Sequence, residues 1–481
     1  MLQKVAATGV DLDTVYDQTL RRIKEQKGDR SRLGMEVLMW VSHAERPLRI
    51  DELCHALAVE IEATDLDPEN IRPQDTVLGS CLGVAVVDKE TSQVRLIHYT
   101  LQEYLSRPGV LPDHKTLGQT CLTYLNYDQV KRIPADNLSS LENFPFLGYS
   151  SSHWGRHAKI ELSHHAKSLV LDLLNQFDHH ISSVLLAMTI CPSWLIPLSH
   201  RPFPGLHCAS YFGIDEVIAT WIEMESYNIN QRDFIGSTPL SWAAWQGNQG
   251  AVALLLARDD VDPDKPDNHG ITPLWGASYN GREGVVRLLL ARGDVDPDKP
   301  DIHGRTPLRR ASFSGHEGVV RLLLARDDVD PDKPDNYGKT PLWGASSNEH
   351  EKVVRLLLAR ADVDPHKPGN HGQTPLWHAS SNGHEGVVRL LLARDNVDPN
   401  KPDDDGETPL WGASYNGHEG VVRLLLARDD VDPDKPDNYG KTPLRGASSN
   451  GHKGVVMLLL ARGDVNPAKP DNDGRATGYR C

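Results

Sequence analysis

Hydrophobic and polar positions recur every 34 residues over the second half of the chain. The tripeptide Thr-Pro-Leu marks this period. It starts at Thr238, Thr272, Thr306, Thr340, Thr374, Thr408 and Thr442. Counting back 34 residues from Leu240 reaches Leu206, in a stretch that indicates a diverged earlier copy. A fixed period of this length is typical of stacked repeats, so we expect eight copies between about 204 and 475.

Each copy predicts two helices followed by a loop. In the copy that begins at Thr272, this residue is a good N-cap, and Pro273 stands at the first helical position, where its missing N–H costs nothing. A second helix is predicted over residues 283–292, because apolar side chains recur there at three- and four-residue spacing. Residues 294–301 contain two prolines and four aspartates, which predict an extended loop. We call this loop and the tip that follows it the finger.

These residues resemble the ankyrin repeat, whose hallmark is T-P-L-H-x-A, followed by G-H and a helix with V-V and L-L pairs. The resemblance covers about residues 204–475, and it implies that neighbouring copies stack to bury their apolar faces. The hallmark histidine is kept only at His207. Elsewhere its position holds Ser241, Trp275, Arg309, Trp343, Trp377, Trp411 and Arg445. Glycines inside the predicted helices, such as Gly276 and Gly284, cost about 1 kcal/mol each relative to alanine and predict individually weak repeats.

Three positions vary between copies that are otherwise nearly identical. The finger tip holds His269, His303, Tyr337, His371, Asp405 and Tyr439. The residue two before proline is Ile271, Arg305, Lys339, Gln373, Glu407 and Lys441. The end of the first helix holds Tyr279, Phe313 and Tyr415, with serine in other copies. The resemblance implies that these places line the concave face that grips protein partners. Neutral drift after duplication is the alternative, but aromatic residues and arginine are typical interface anchors and favour binding.

The first 200 residues show no such period. Residues 14–27 and 31–42 predict amphipathic helices, and a further apolar stripe predicts a helix over 51–57. Two short runs, 82–88 and 93–98, predict a β-hairpin, after which a helix resumes at 101–105. Helices followed by such a hairpin are typical of a winged helix.

The stretches "WVSHAERPLRIDELCHALAVE" and "RLIHYTLQEYLS" resemble the winged-helix module that follows the NACHT NTPase in fungal NACHT–ankyrin proteins, the module named for the GPI inositol-deacylase family. "LDTVYDQTLRRI" is similar to the last helical part of the NACHT domain. In such receptors a winged-helix histidine contacts the nucleotide phosphates, and His98 stands at that place. The alternative is that His98 is a structural histidine of the wing. This alternative is favoured because the sequence shows no nucleotide site that His98 could contact.

The sequence therefore predicts a mostly α-helical protein, in which a winged-helix module and a helical connector precede an α-solenoid of ankyrin repeats. The expected boundaries are 1–26 for the end of a NACHT domain, 27–108 for the winged helix, 109–203 for the connector, 204–475 for the repeats and 476–481 for an off-pattern tail. Both ends interrupt the expected pattern. We therefore expect a fragment, a truncated gene copy or an incomplete gene model.

The net charge of −15 disfavours general nucleic-acid binding, which needs a positive surface. The six cysteines include no C-x-x-C pair and fit reduced thiols. The N-terminus lacks the apolar segment of a signal peptide, and the longest apolar run is far shorter than the ~20 residues of a membrane helix. We therefore expect a cytoplasmic protein with neither nucleic-acid nor membrane partners.

Neither a catalytic site nor a cofactor is predicted. Gly338-Lys-Thr340 supplies only the second half of a phosphate-binding loop, and the chain has no G-x-S-x-G nucleophile motif. Asp294-Val-Asp-Pro-Asp298 resembles the start of an EF-hand loop, but Lys299 stands where that loop needs glycine. We expect a solvated acidic loop there instead. The histidines that recur once per repeat are expected to be structural, so no metal site is predicted.

The first hypothesis is a non-enzymatic module whose ankyrin arm binds a protein and serves a NACHT-type signalling receptor, with the NTPase in cis or in trans. The second is the regulatory part of a nucleotide-driven switch, in which His98 senses the phosphates. A non-functional duplication product is the third.

Overall fold

The computed structural model describes residues 12–111, 115–135, 138–159, 164–190, 203–223 and 228–474. The chain divides into two compact units, residues 1–239 and 240–481. The predicted tail at 476–481 and residues 1–11 of the predicted NACHT remnant lie outside the described residues. The prediction of a mostly helical protein is confirmed. No helix in the described ranges is both long and apolar enough to cross a membrane.

The first unit begins with a hairpin surrounded by helices. These elements are α1 (Leu12–Lys24), α2 (Arg30–His43), α3 (Ile50–Leu57), α4 (Gln74–Ser80), β1 (Ala85–Val87), β2 (Val94–Leu96) and α5 (Tyr99–Leu105). The strands are antiparallel, with Val86 opposite Arg95. The N–H of Val94 also donates to the carbonyl of Leu48 at 2.8 Å, so the segment before α3 lies beside β2. The hairpin and the helices around it form the predicted winged helix.

A second group of helices follows and shares an aromatic core with the winged helix. It comprises α6 (Lys115–Asn126), α7 (Asp128–Lys131), α8 (Leu147–Ala158), α9 (His164–Leu174) and α10 (Ile181–Ile190). Trp40 of α2 packs edge-on against Phe146, with ring centroids 5.4 Å apart, and against Tyr149 at 6.0 Å. The hydroxyl of Tyr149 lies 2.8 Å from Nε2 of the buried His157. These contacts make the winged helix and the connector one packed body.

The repeats form pairs of short helices. In the first unit the pair is α11 (Gly205–Phe212) and α12 (Asp215–Ile222). The following pairs are α13 (Pro239–Gln246) and α14 (Gln249–Leu256), α15 (Pro273–Tyr279) and α16 (Glu283–Leu290), α17 (Pro307–Phe313) and α18 (Glu317–Leu324), α19 (Pro341–Ser347) and α20 (Glu351–Leu358), α21 (Pro375–Ser381) and α22 (Glu385–Leu392), α23 (Pro409–Tyr415) and α24 (Glu419–Leu426), and α25 (Pro443–Ser449) and α26 (Lys453–Leu460). We number the repeats 1–8, from residue 204 in steps of 34, so that repeat 3 begins at Thr272.

The predicted N-caps are confirmed. In repeat 3, Oγ1 of Thr272 accepts a hydrogen bond from the N–H of Trp275 at 3.1 Å, and Pro273 occupies the first helical position. The second helix ends at Leu290, two residues earlier than predicted, where Arg292 leaves the helix and pairs with Asp294 at 2.6 Å. Val285, Val286 and Leu289 are buried. In the second unit, first helices pack on neighbouring first helices and second helices on second helices, which buries these stripes.

Side chains at constant positions join each repeat to the one before it. The predicted structural role of the recurring histidines is confirmed, since Nε2 of His316 lies 2.9 Å from the carbonyl oxygen of Tyr279 in the preceding first helix. His350, His384, His418 and His452 make the same bond. Arg326 donates from Nη1 to the carbonyl of Leu290, at the end of the preceding second helix, at 3.0 Å. In repeats 4–8 the junctions therefore carry a bond that recurs with the period.

The expectation of a solvated acidic loop was wrong for part of the finger. Asp298 is only 8% exposed, and its Oδ2 accepts a hydrogen bond from the N–H of Asp330 in the next finger at 2.8 Å. Asp264 and Asp332 bond the following finger in the same way. Burial raises the pKa of the Asp298 carboxyl. These aspartates are buried because they satisfy backbone donors between fingers, which their composition alone does not reveal.

The turn between the two helices needs a left-handed backbone. Gly281 has φ 68° there, and Gly315, Gly383, Gly417 and Gly451 match it. Repeat 5 has Glu349 at this position, with φ 60°. A side chain with Cβ is strained in this region, so repeat 5 carries a local cost that the other copies avoid.

Candidate functional site

The variable positions gather on one surface of the second unit. We call it the variable face and define it by the first helices of repeats 3–8 and the adjoining finger tips. Nine of the predicted partner-binding residues are exposed: His269, His303, Phe313, Tyr337, His371, Asp405, Tyr415, Tyr439 and Lys441. The others are half-buried: Ile271, Tyr279, Arg305, Lys339, Gln373 and Glu407.

Each finger tip combines a fixed backbone with a free side chain. The carbonyl of His303 accepts from the N–H of Asn336 in the next finger at 2.9 Å. Oδ1 of Asp301 accepts from the N–H groups of both His303 and Arg305 at 2.9 Å, which closes the turn. The side chains at the tip are left to solvent, so that Tyr337 is 56% exposed and Tyr439 63%. Exposed tyrosines on a fixed backbone are suitable contact groups for a partner.

The hallmark histidine position keeps its structural function when its residue changes. Nε2 of His207 lies 3.0 Å from the carbonyl oxygen of Ser237, which stands two residues before the proline that begins the next first helix. Trp377 and Trp411 donate from Nε1 to the corresponding carbonyls at 3.0 and 3.1 Å. Arg309 does so from Nε at 3.2 Å. Trp377 and Trp411 thus keep this bond while their rings line the variable face, whereas the indole N–H of Trp343 is buried without a partner.

Arginine and aromatic rings form a cluster in repeats 3 and 4. The guanidinium carbon of Arg310 lies 4.4 Å from the ring centroid of Tyr279, 4.9 Å from that of Trp275 and 5.6 Å from that of Phe313. Arg305 lies 5.8 Å from the Trp275 centroid, and its Nε is 2.6 Å from Oδ2 of Asp301. The cluster therefore unites the predicted residues Tyr279, Arg305 and Phe313 around Arg310, which sequence reasoning missed.

Arg310 belongs to a fourth variable position, directly after the hallmark one. It holds Gly276, Arg310, Gly344, His378, Gly412 and Gly446 in successive repeats. Like Arg310, His378 covers the tryptophan of the preceding repeat, because its ring centroid is 4.2 Å from that of Trp343. Burial lowers the pKa of His378 to about 4, so the ring is neutral near pH 7. The alternation of glycine with large polar residues was the signal that could have identified this position.

A groove of about 560 Å³ lies on the variable face in repeats 6–8. Aromatic rings, two carboxylates and a lysine line it: Trp377, Trp411, Tyr415, Tyr439, Glu407, Asp437 and Lys441 are among its residues. Burial, together with the nearby carboxylates of Asp403, Asp437 and Asp405, raises the pKa of Glu407 to about 7. The groove brings together Glu407, Tyr415, Tyr439 and Lys441 from the predicted set. The tip residues His269, His303, His371 and Asp405 do not line it.

His98 is placed as a helix cap. It precedes α5, and its Nδ1 accepts from the N–H of Thr100 at 3.3 Å and lies 2.6 Å from Oγ1 of the same residue. The ring stacks on Tyr99, with centroids 4.8 Å apart. This geometry agrees with a structural histidine. Contact of His98 with nucleotide phosphates stays a prediction.

In the described ranges, no group of three or more histidine, cysteine, aspartate or glutamate side chains is arranged to hold a metal ion. Cys54, Cys81, Cys121 and Cys208 are buried free thiols.

Three comparisons with known proteins bear on the identity of the chain. Residues 22–114 match the GPI inositol-deacylase winged helix domain. Among solved structures, the ankyrin repeat domain of Bcl-3, described as a member of the IκB protein family, is 31% identical with a TM-score of 0.41, over 47% of this chain and 99% of that one. No curated protein sequence matches the chain.

The model of ankyrin repeats in groups of three copies matches residues 206–301, 257–335, 284–368, 328–403 and 393–471. Together these matches span residues 206–471, more than half of the 481 residues. The chain therefore belongs to the ankyrin repeat family.

Proposed function

We propose that this protein is a non-enzymatic interaction module whose variable face binds a protein partner. The observation that carries the proposal is that constant and varying positions of the repeat have different functions. Constant residues, such as His316 and Arg326, are engaged in bonds between repeats. The varying positions instead present aromatic and charged side chains on one surface, including the exposed Phe313, Tyr337 and Tyr439.

Such a surface suits protein recognition. Tyrosine, tryptophan and arginine dominate the energetics of protein interfaces, and a rigid backbone limits the entropy that binding costs. Drift without selection would place aliphatic, polar and aromatic residues at these positions without preference. The accumulation of tyrosine, phenylalanine and arginine on repeats 3–8 therefore supports binding.

The proposal extends to the role of the whole chain. The winged-helix module and the helical connector tie the repeat array to a NACHT-type NTPase, in cis or in trans, in a cytoplasmic signalling receptor. In this arrangement the repeats recognise the partner, and the winged helix transmits the event to the NTPase. The match of residues 22–114 to the winged-helix family supports this placement.

The test compares two triple variants of the full chain. The face variant carries Phe313→Ser, Tyr337→Ser and Tyr439→Ser. The control carries Arg321→Ser, Arg355→Ser and Met457→Ser, which are exposed residues on second helices. Each immobilised protein is exposed to extract of its own cells, and any retained protein is purified for binding measurements.

We expect the natural chain and the control to bind the same protein, and the face variant to bind it at least about tenfold more weakly, a loss of about 1.4 kcal/mol. Equal binding by both variants would show that the partner uses another surface. Retention of no protein by the natural chain would contradict the proposed function itself.

A further inference from the structure

The array contains a filled and an empty version of the same aromatic site. In repeats 3 and 4 the guanidinium of Arg310 lies over the rings of Trp275 and Tyr279, at 4.9 and 4.4 Å. A cation over such rings is attracted by their negative faces. The 34-residue period maps Trp275 onto Trp411, Tyr279 onto Tyr415 and Arg310 onto Gly446, four repeats later.

In the later copy the rings remain but their cation is missing. Trp411 and Tyr415 stack with centroids 5.0 Å apart and planes 10° from parallel. A Cβ placed on Gly446 would make ordinary van der Waals contact with Tyr415 at 3.7 Å, so a side chain fits here without a clash, as Arg310 does in the earlier copy. Both rings and Gly446 line the groove of about 560 Å³. Gly412, next to Trp411 in the same helix, also lines the groove and adds no side chain to it.

The empty site has one more carboxylate than the filled site, which favours binding of a cation from outside the chain. Ile271 of the filled site corresponds to Glu407 of the empty one. Glu407 and Asp437 both line the groove. Asp437 is only 6% exposed, and its Oδ1 is held by the N–H groups of Tyr439 and Lys441. Two crowded carboxylates, one of them buried, stabilise a cation that lies between them.

The basic residues of this region are partly engaged elsewhere. Nη2 of Arg445 pairs with Oδ2 of Asp471 at 2.6 Å, outside the groove. The ammonium of Lys441 lies 5.7 Å from the centroid of Tyr439, at the rim that this exposed tyrosine forms. Burial and the carboxylates of Asp403, Asp437 and Asp405 raise the pKa of Glu407, and their effect outweighs the opposite effect of Lys441.

We propose that this groove binds the guanidinium of an arginine side chain from the protein partner, in the place that Arg310 fills in repeats 3 and 4. The planar guanidinium stacks on Trp411 and Tyr415, and its N–H groups donate to the carboxylates of Glu407 and Asp437. The inference rests on the proposed function, and it specifies the chemistry of one contact on the variable face. Arginine is preferred to lysine because a flat, weakly hydrated cation can lie against both rings and donate to two carboxylates together.

The test uses the full chain labelled with fluorotryptophan and followed by fluorine NMR, with the Trp411 signal assigned from Trp411→Phe. The probe is N-acetyl-arginine methylamide, and the control probe is the matching citrulline derivative, which has a similar shape but no charge. We expect the arginine probe to shift the Trp411 signal with a Kd on the order of 1 mM at about pH 8, and citrulline to bind at least about tenfold more weakly.

Two variants locate the site. Gly446→Arg supplies the missing guanidinium from the chain itself and is expected to abolish the response. Gly463→Arg is the matched control, since it adds the same charge in the same repeat where no atom lies within 4 Å of the added Cβ. It should leave the response unchanged. Glu407→Gln provides a second test that does not fill the groove, and it should weaken arginine binding about fivefold at about pH 8.

Several results would overturn the proposal: a Trp411 signal that arginine does not shift, an equal response to citrulline, or a response that survives both Gly446→Arg and Glu407→Gln. The proposed function fails differently, through equal partner binding by the face and control variants. If those variants differ while arginine leaves Trp411 unaffected, the variable face binds a partner without this contact.

Discussion

The indole N–H of Trp275 donates a hydrogen bond of 2.9 Å to the carbonyl oxygen of Arg305, thirty residues further along the chain. His207 makes the corresponding bond to Ser237 in the first repeat. Tryptophan therefore replaces the hallmark histidine as the donor of this bond in three repeats, through Trp275, Trp377 and Trp411. It also contributes a large ring to the variable face, which histidine at the same position provides less well.

Removal of this donor should destabilise the array. In Trp275→Phe the carbonyl of Arg305 loses its partner, whereas Trp343→Phe removes an indole N–H that is buried without a partner. Both variants lose similar ring area. We expect Trp275→Phe to lower the free energy of unfolding by about 1 kcal/mol more than Trp343→Phe does, as measured by urea denaturation. Equal losses would show that the bond contributes nothing to stability.

The hydrogen bond that Asp298 makes to the next finger should survive its substitution by asparagine but not by alanine. Asp298 accepts from the N–H of Asp330, and Asn400 accepts from Asp432 in the same way at 2.9 Å. Asp298→Asn should therefore keep the bond, remove a buried charge and change stability by less than about 0.5 kcal/mol. Asp298→Ala loses the acceptor and should cost about 1 kcal/mol. Urea midpoints measure both. Similar midpoints for the two variants would contradict a stabilising function for this bond.

Repeat 5 should become more stable when its strained turn is relieved. Glu349 has φ 60°, where other repeats have glycine. Its carboxylate is exposed, so its contact with His384 at 3.7 Å contributes little to stability. We expect Glu349→Gly to raise the free energy of unfolding by about 1 kcal/mol. Glu349→Ala is the control, because it keeps the Cβ and with it the strain. An equal gain from alanine would locate the effect in the charge.

Glu407 should make stability depend on pH. Its pKa is raised from 4.5 to about 7 in the folded protein, so folding favours the protonated form. The stabilisation is complete below about pH 4.5 and disappears as the pH rises through about 7. After allowance for solvent screening it amounts to about 1 kcal/mol. Asp403, Asp405, Asp437 and Lys441 are the charged groups that act on it.

Glu407→Gln isolates this contribution from the other titrating groups. The difference in unfolding free energy between the variant and the natural chain, measured at a series of pH values, should shift in favour of glutamine between about pH 4.5 and 7. A difference that is constant over this range would mean that Glu407 titrates normally.

The repeat architecture was predictable from the sequence because nearly identical copies show the same patterns for helix starts and buried faces many times. Thr272 before Pro273 specifies the start of the first helix, and the stripe at Val285 and Leu289 specifies the buried side of the second helix. The aspartates of the finger were misjudged because burial of Asp298 depends on an amide 32 residues away. Composition describes such a residue only as acidic, and its environment appears only when adjacent fingers are placed together.

The candidate site was predictable only in part. The three variable positions identified Glu407, Tyr415 and Tyr439, but not the groove between them. That groove exists because Gly446 leaves open the space that Arg310 fills elsewhere. An absent side chain is difficult to recognise in one copy, and comparison between copies is needed to show what is missing.

The bonds between repeats all join positions that stand at fixed offsets in the period, such as 37 residues for His316 and Tyr279 and 36 for Arg326 and Leu290. Unequal recombination that inserts or deletes one whole unit of 34 codons therefore keeps these offsets and recreates the bonds that the recurring residues make. The gene can thus change the length of the array, and with it the order of residues on the binding surface, without having to evolve a new interface inside the protein.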